Sequence, residues 1–119
     1  MGSGVQIGFE RRAETRMLCS ELVHVRWEDP RGIECRATAI LEDIAPSGAC
    51  LQLEVPVSEG IHLSIAAPGI LLRGSVCYCV LRDAGYFTGV RFDDGYKWSE
   101  RQYRPQHLLD PRTLGTTSS

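Results

Sequence analysis

The sequence predicts an all-β fold, a six-stranded antiparallel barrel, and two observations carry this prediction. Apolar residues alternate with polar residues at a period of two through most of the chain, which is typical of strands with one buried face. Turn-forming residues separate these segments roughly every ten positions, without a predicted helix between them. Because short antiparallel strands leave unpaired edges unless the sheet closes on itself, we expect a barrel.

The alternation delimits the strands in order. They are predicted at residues 22–27, 33–41, 49–55, 61–65 and 70–80, with a last strand around Val90 and Phe92. Turns are predicted at residues 29–32, 46–48, 67–69 and 83–85, where Pro, Gly, Asp or Ser favours a tight reversal.

Length and composition indicate one globular domain. The chain has 119 residues, of which 43% are apolar and 24% charged, and its net charge is −2. This balance argues against a general nucleic-acid-binding surface, so an anion site must be a local cluster. Apolar runs stay well short of the roughly 20 residues that cross a bilayer, and the first residues lack the apolar stretch of a signal peptide. We therefore expect a cytoplasmic protein without a membrane partner.

Three regions follow from the pattern. We predict a flexible N-terminal arm at residues 1–16, the barrel at 17–95, and a C-terminal segment at 96–119 that ends in a disordered tail. Short helical turns are predicted around residues 99–103 and 105–109, with Ser99 as N-cap and Pro105 ending the first turn. Four apolar residues are expected to cover an open end of the barrel: Trp98, Tyr103, Leu108 and Leu109.

The cysteines and histidines do not form a catalytic or metal-binding pattern. No two cysteines have the two-residue gap of zinc and redox motifs. We expect free, buried or half-buried thiols, with an edge metal site or a redox role as the alternative. The histidines lack a neighbouring nucleophile, and Asp93 with Asp94 is interpreted as a solvated turn. The sequence thus favours a binding module without a resident cofactor over an enzyme.

An arginine cluster stands immediately before the first strand. Arg11, Arg12 and Arg16 lie in the segment Glu-Arg-Arg-Ala-Glu-Thr-Arg. The planar guanidinium pairs bidentately with phosphate or with a guanine edge and stacks on flat rings. By itself such a run is most often a solvated basic arm.

A second polar segment follows the second predicted strand. Asp43, Ala45, Ser47 and Gly48 lie in the segment Asp-Ile-Ala-Pro-Ser-Gly. A carboxylate can accept the two adjacent N–H groups of a guanine edge, and glycine permits close approach of backbone or ligand. By itself this segment is also most simply a turn.

In this order on a six-strand pattern, the two segments resemble the PilZ domain family. That family carries an Arg-x-x-x-Arg motif ahead of its barrel, here Arg12 and Arg16. It also carries an Asp/Asn-x-Ser-x-x-Gly motif at the second-to-third strand junction, here Asp43, Ala45 and Gly48. The run Thr-Gly-Val-Arg-Phe at residues 88–92 is similar to the family's closing strand.

The resemblance implies a receptor for cyclic di-GMP, a bacterial second messenger with two guanines and two phosphates. It implies that Arg12 and Arg16 bind phosphates and guanine faces, while Asp43 reads a guanine edge. The extra Arg11 favours two ligand molecules per chain. A lone domain of this kind passes its signal to a separate protein effector, through ordering of the N-terminal arm on the ligand.

One position departs from the family pattern. Ala45 stands where the family usually has Ser, and Ser47 is a candidate substitute for the missing hydroxyl. A neutral hydrogen bond contributes about 0.5–1.5 kcal/mol net, so we expect weakened rather than abolished binding. The alternative is a degenerate domain that acts as a nucleotide-independent protein adaptor. An RNA-binding barrel is disfavoured, since the net charge is −2 and the polar strand faces carry few aromatic residues.

Overall fold

A computed structural model describes residues 14–113, and these residues confirm the predicted all-β barrel. Within this range the chain forms β1 (Met17–Glu28), β2 (Glu34–Ala45), β3 (Gly48–Leu53), β4 (His62–Ala67), β5 (Ile70–Arg82) and β6 (Gly85–Phe92). The sheet closes in the order β1-β2-β3-β6-β5-β4, and every neighbouring pair is antiparallel. Closure pairs both sides of the sheet, which removes exposed edges along the paired lengths.

The barrel interior follows the predicted alternation over much of its length. In β1, Val23 and Val25 are fully buried, whereas Leu22, directly before Val23, faces outward and is 63% exposed. The observed strands differ from the predicted limits by one to five residues at most of their ends, and a few predicted strand residues lie outside the strands. Ile33 belongs to the turn before β2, and Val55 follows the end of β3, and both side chains are exposed.

The strand register shifts at three places within the described barrel. One shift lies in β1 between Leu18 and Glu21, and a second places an extra residue, Glu42, in β2 opposite β3. The third makes Cys77 the extra residue of β5 opposite β6. Each such bulge reverses which residues of the strand face outward beyond it.

The segment after β6 covers one end of the barrel, as expected for Trp98 and Tyr103, which are both buried. The Trp98 indole N–H donates to the Tyr103 carbonyl at 2.8 Å. The Tyr103 hydroxyl donates to the carboxylate of Glu21 at 3.2 Å, and Glu21 is buried although it is charged. This hydrogen bonding satisfies the polar groups that the cover buries.

The predicted helical turn at 105–109 is wrong. A single hydrogen-bonded turn forms at 99–103, but residues 105–109 contain a turn followed by an extended residue, Leu109. Leu18 and Leu109 exchange both backbone hydrogen bonds, at 2.8 and 2.7 Å, and the Ser20 N–H donates to the Gln106 carbonyl. The observed β4 pairing covers β1 only from His24 to Trp27, so this segment pairs with the first part of β1 instead. Hydrogen bonding to the otherwise unpaired backbone of β1 thus outweighs the helix propensity of residues 105–109.

In the described part of the chain, no helix has the length and apolar character needed to cross a membrane.

Candidate functional site

Four residues on neighbouring strands form a row across the outside of the barrel. Asp43 of β2 pairs with Cys50 of β3, Cys50 with Gly89 of β6, and Gly89 with Tyr78 of β5. The bulges at Glu42 and Cys77 place Asp43 and Tyr78 on this outer face, since unbroken alternation from Leu41 and Val76 would direct both inward.

The Tyr78 ring lies directly over Gly89. A Cβ atom on Gly89 would stand 2.1 Å from a Tyr78 ring carbon, so only glycine leaves room for the ring. Cys50 is only 4% exposed although it belongs to the outer row. Burial, followed by the hydrogen bond and charge of Cys50, raises the pKa of Tyr78 to about 12 against the opposing effect of Arg16. Burial also raises the pKa of the Cys50 thiol, so this thiol remains protonated.

Arg16 connects the entry to β1 with this outer row. Its guanidinium donates to Oδ1 of Asp43 at 3.0 Å, and the two side chains are 46% and 19% exposed. Partial burial lowers the pKa of Arg16, but the charge and hydrogen bond of Asp43, then those of Tyr78, leave that pKa raised. Arg16 therefore stays charged, and part of its surface remains open to a ligand.

Glu14 forms a second contact between the entry segment and the β2–β3 turn. Its carboxylate accepts hydrogen bonds from the Ser47 hydroxyl at 2.6 Å and the Ser47 N–H at 3.3 Å. The Lys97 ammonium lies 3.4 Å from the other carboxylate oxygen. Burial raises the pKa of Glu14, but the two Ser47 hydrogen bonds and Lys97 outweigh burial and leave it lowered.

An open groove of about 720 Å³ lies beside these contacts. This volume falls in the range of small-molecule sites, roughly 300–1,000 Å³. The groove is bounded by the entry segment, the β2–β3 turn, β5, β6 and the residues after β6. Its charged lining residues are Glu14, Arg16, Arg91, Asp93, Asp94 and Lys97, and Tyr78 and Tyr96 supply aromatic surface.

The β2–β3 turn contributes Ala45, Ser47 and Gly48 to the groove. Ala45 pairs with Gly48 across the turn and is only 8% exposed. A Cβ atom on Gly48 would lie 2.5 Å from the Val90 carbonyl oxygen, so the close approach of β6 accounts for this glycine. The Ser47 hydroxyl, the candidate substitute for a family serine, donates to Glu14.

The structure brings together the predicted residues that it describes. Arg16 lines the groove together with Ala45, Ser47 and Gly48. Asp43 is not among the lining residues, but it contacts Arg16. Arg11 and Arg12 lie outside the described residues.

Sequence reasoning missed Glu14, Tyr78, Arg91 and Lys97 at this groove. Regular alternation from Val76 directs Tyr78 inward, and the bulge at Cys77 that reverses this has no clear sequence signal. Gly89 inside a predicted strand was an available signal, since such a glycine often marks a close approach.

The candidates set aside on sequence have ordinary surroundings. His62 lies 2.8 Å from Oδ1 of Asp93. The Cys19 thiol is buried, and burial, followed by nearby carboxylates, raises its pKa to about 12. Within residues 14–113, no group of three or more His, Cys, Asp or Glu side chains could hold a metal ion.

Comparison of the chain with protein-family models and with curated proteins found no match. The class of the molecule therefore rests on its fold and on the groove.

Proposed function

We propose that this chain is a bacterial receptor domain of the PilZ type, which binds cyclic di-GMP in the cytoplasm and passes the signal to a partner protein. The observation that carries the proposal is the contact of Arg16 with Asp43 beside the groove. These are the two described charged residues of the motifs on which the family resemblance depends, and 27 sequence positions separate them.

The chemistry of the groove supports a flat, anionic ligand. Arg16 remains charged and partly exposed, so its guanidinium can pair with a phosphate or stack on a guanine. Arg91 and Lys97 place further positive charge on the same lining, beside the carboxylates of Glu14, Asp93 and Asp94, and Tyr78 offers an aromatic ring. The ordering of the arm that contains Arg11 and Arg12 enters the proposal through the sequence resemblance.

Calorimetric titration of the full chain with cyclic di-GMP tests the proposal. A bidentate arginine contact contributes about 1–3 kcal/mol, so Arg16→Ala is expected to weaken binding by roughly 5- to 150-fold. The matched control is Arg26→Ala, which removes a different arginine–carboxylate contact, the one between Arg26 of β1 and Glu34 of β2. The control is expected to bind like the wild type.

Two results would contradict the receptor proposal. One is the absence of both binding heat and a melting-temperature shift for the wild type at high ligand concentration. The other is an equal loss of affinity in the Arg16 and Arg26 variants, which would indicate a general charge effect.

The second candidate function is a nucleotide-independent protein adaptor with the same fold. The observation that favours it is that neither residue 45 nor residue 47 offers a free hydroxyl at the turn. Ala45 has no hydroxyl, and the Ser47 hydroxyl is bound to Glu14. The same titration distinguishes the candidates, because an adaptor without a nucleotide site gives no heat with cyclic di-GMP.

A further inference from the structure

The carboxylate of Glu14 is surrounded by three donors at the β2–β3 turn. One oxygen accepts from the Ser47 hydroxyl at 2.6 Å and from the Ser47 backbone N–H at 3.3 Å. The other oxygen lies 3.4 Å from the Lys97 ammonium. A hydroxyl, a backbone amide and a cation that converge in this way suit an anion.

These donors are held in place by contacts that do not involve Glu14. The Ser47 carbonyl accepts a hydrogen bond from the Phe92 N–H at 2.8 Å, which fixes the turn against the end of β6. The Trp98 N–H donates to the Pro46 carbonyl at 2.8 Å, and the buried Trp98 side chain anchors the residue after Lys97. The Ser47 amide and the backbone at Lys97 therefore keep their positions when Glu14 leaves.

Glu14 itself is replaceable. Its side chain is 28% exposed and belongs to the entry segment before β1, outside the paired strands. It opens onto the same groove as Arg16 and Arg91, so an anion in the groove can reach its position.

We infer that the Ser47 amide and hydroxyl, together with Lys97, form a binding site for a phosphoryl group, which Glu14 occupies when no ligand is bound. Three donors match the several acceptor oxygens of a phosphoryl group. With Glu14 displaced, the groove lining keeps three cations, Arg16, Arg91 and Lys97, against the two carboxylates of Asp93 and Asp94. The assignment of this phosphoryl group to cyclic di-GMP rests on the proposed function, whereas the anion site does not.

The test is titration of the full chain with inorganic pyrophosphate. Glu14→Ala removes the internal competitor and is expected to tighten pyrophosphate binding by about fivefold or more. The matched control is Glu59→Ala, which removes one exposed carboxylate in the turn before β4 and changes the net charge equally. Its affinity is expected to stay within about twofold of the wild type.

The donors are tested in the Glu14→Ala background. Adding Lys97→Ala or Ser47→Ala is expected to abolish the gain in affinity. Pyrophosphate should also shift the Ser47 amide signal in the nitrogen–proton correlation spectrum of Glu14→Ala. Equal affinity in wild type and Glu14→Ala, or a gain that survives both second substitutions, overturns the inference.

A parallel titration with cyclic di-GMP separates this inference from the proposed function. If pyrophosphate behaves as expected but cyclic di-GMP binds neither protein, the receptor proposal fails and the anion site stands. If cyclic di-GMP binds both proteins with equal affinity and pyrophosphate does not distinguish them, the anion site fails and the receptor proposal stands.

Discussion

An arginine–carboxylate contact lies at each end of the β1–β2 pair, one from the residue before β1 and one within the pair, in different surroundings. Arg16 contacts Asp43 at 3.0 Å beside the groove, and Asp43 is 19% exposed. Arg26 contacts Glu34 at 2.7 Å at the opposite end, where both side chains are more than 40% exposed. Both contacts join an arginine to a carboxylate, but the strand geometry around them differs.

The bulges are concentrated at the groove end. There the register shifts occur in β1 after Leu18, in β2 at Glu42 and in β5 at Cys77. At the opposite end, β1 pairs without interruption with β2 from Glu21 to Glu28 and with β4. Bulges redirect side chains and often lie next to functional sites. The comparison shows how irregular pairing assembles the groove on an otherwise regular barrel.

The largest expected difference between the two ends is in the free energy of unfolding that is lost when a glycine is substituted. Gly48→Ala places a Cβ atom 2.5 Å from the Val90 carbonyl oxygen, and neither backbone can move without disturbing the pairing of β3 with β6. We expect a loss of about 3 kcal/mol in the free energy of unfolding, as for overpacked interiors. Urea denaturation of both variants measures the effect.

Gly32→Ala is the control at the opposite end. Its φ angle is +83°, but the added Cβ atom would have nothing within 4 Å. The expected loss is about 1 kcal/mol, the cost of a left-handed conformation alone. Equal losses in the two variants would show that the approach of β6 to Gly48 is not tight.

The same contrast explains what the sequence could predict. Period-two alternation is a direct consequence of regular strands, so the positions of Val23, Val25 and Leu51 on the buried face followed from it. Alternation fails beyond a bulge, which is why the outward position of Tyr78 was not predicted. Leu109 pairs with Leu18 because β4 does not pair with that part of β1. This depends on the tertiary structure and cannot be predicted from the local helix propensity.

The predicted site was partly accessible from sequence because its motifs are short and flank turns. Asp43, Ala45 and Gly48 were located through the resemblance of their segment to the Asp/Asn-x-Ser-x-x-Gly motif. Glu14 and Lys97 come together across 83 positions, and no local pattern marks such a contact.

A smaller difference is expected between the coupling free energies of the two arginine–carboxylate contacts. A double-mutant cycle with Arg16→Ala and Asp43→Ala should give a coupling free energy of about 1 kcal/mol, since Asp43 is mostly shielded from water. The corresponding cycle for Arg26 and Glu34 should give no measurable coupling at moderate salt, because both groups are exposed. Chemical denaturation of the single and double variants provides both values. Stronger coupling at the Arg26 end would contradict the role assigned to burial.

The smallest expected effect concerns the acid sensitivity of Glu14 and Glu34. The pKa of Glu14 is lowered because the Ser47 hydrogen bonds and Lys97 outweigh burial, and the pKa of Glu34 is lowered mainly by its hydrogen bond and charge contact with Arg26. A lowered pKa in the folded state stabilises the protein above the ordinary carboxyl pKa of 4.5. This stabilisation is lost as the pH falls below that value through the folded-state pKa.

Salt is expected to change the melting-temperature effects of Glu14 and Glu34 differently. Glu14→Gln is expected to lower the melting temperature at about pH 6 by only one or two degrees, and this deficit should shrink towards about pH 3. The deficit should persist in concentrated salt, because hydrogen bonds from the Ser47 hydroxyl and amide are screened less than exposed ion pairs. The deficit of Glu34→Gln should disappear in the same salt. Melting curves of both variants and the wild type, at both pH values and at low and high salt, test this prediction. A Glu14→Gln deficit that salt removes would mean that Lys97, rather than Ser47, holds the carboxylate in place.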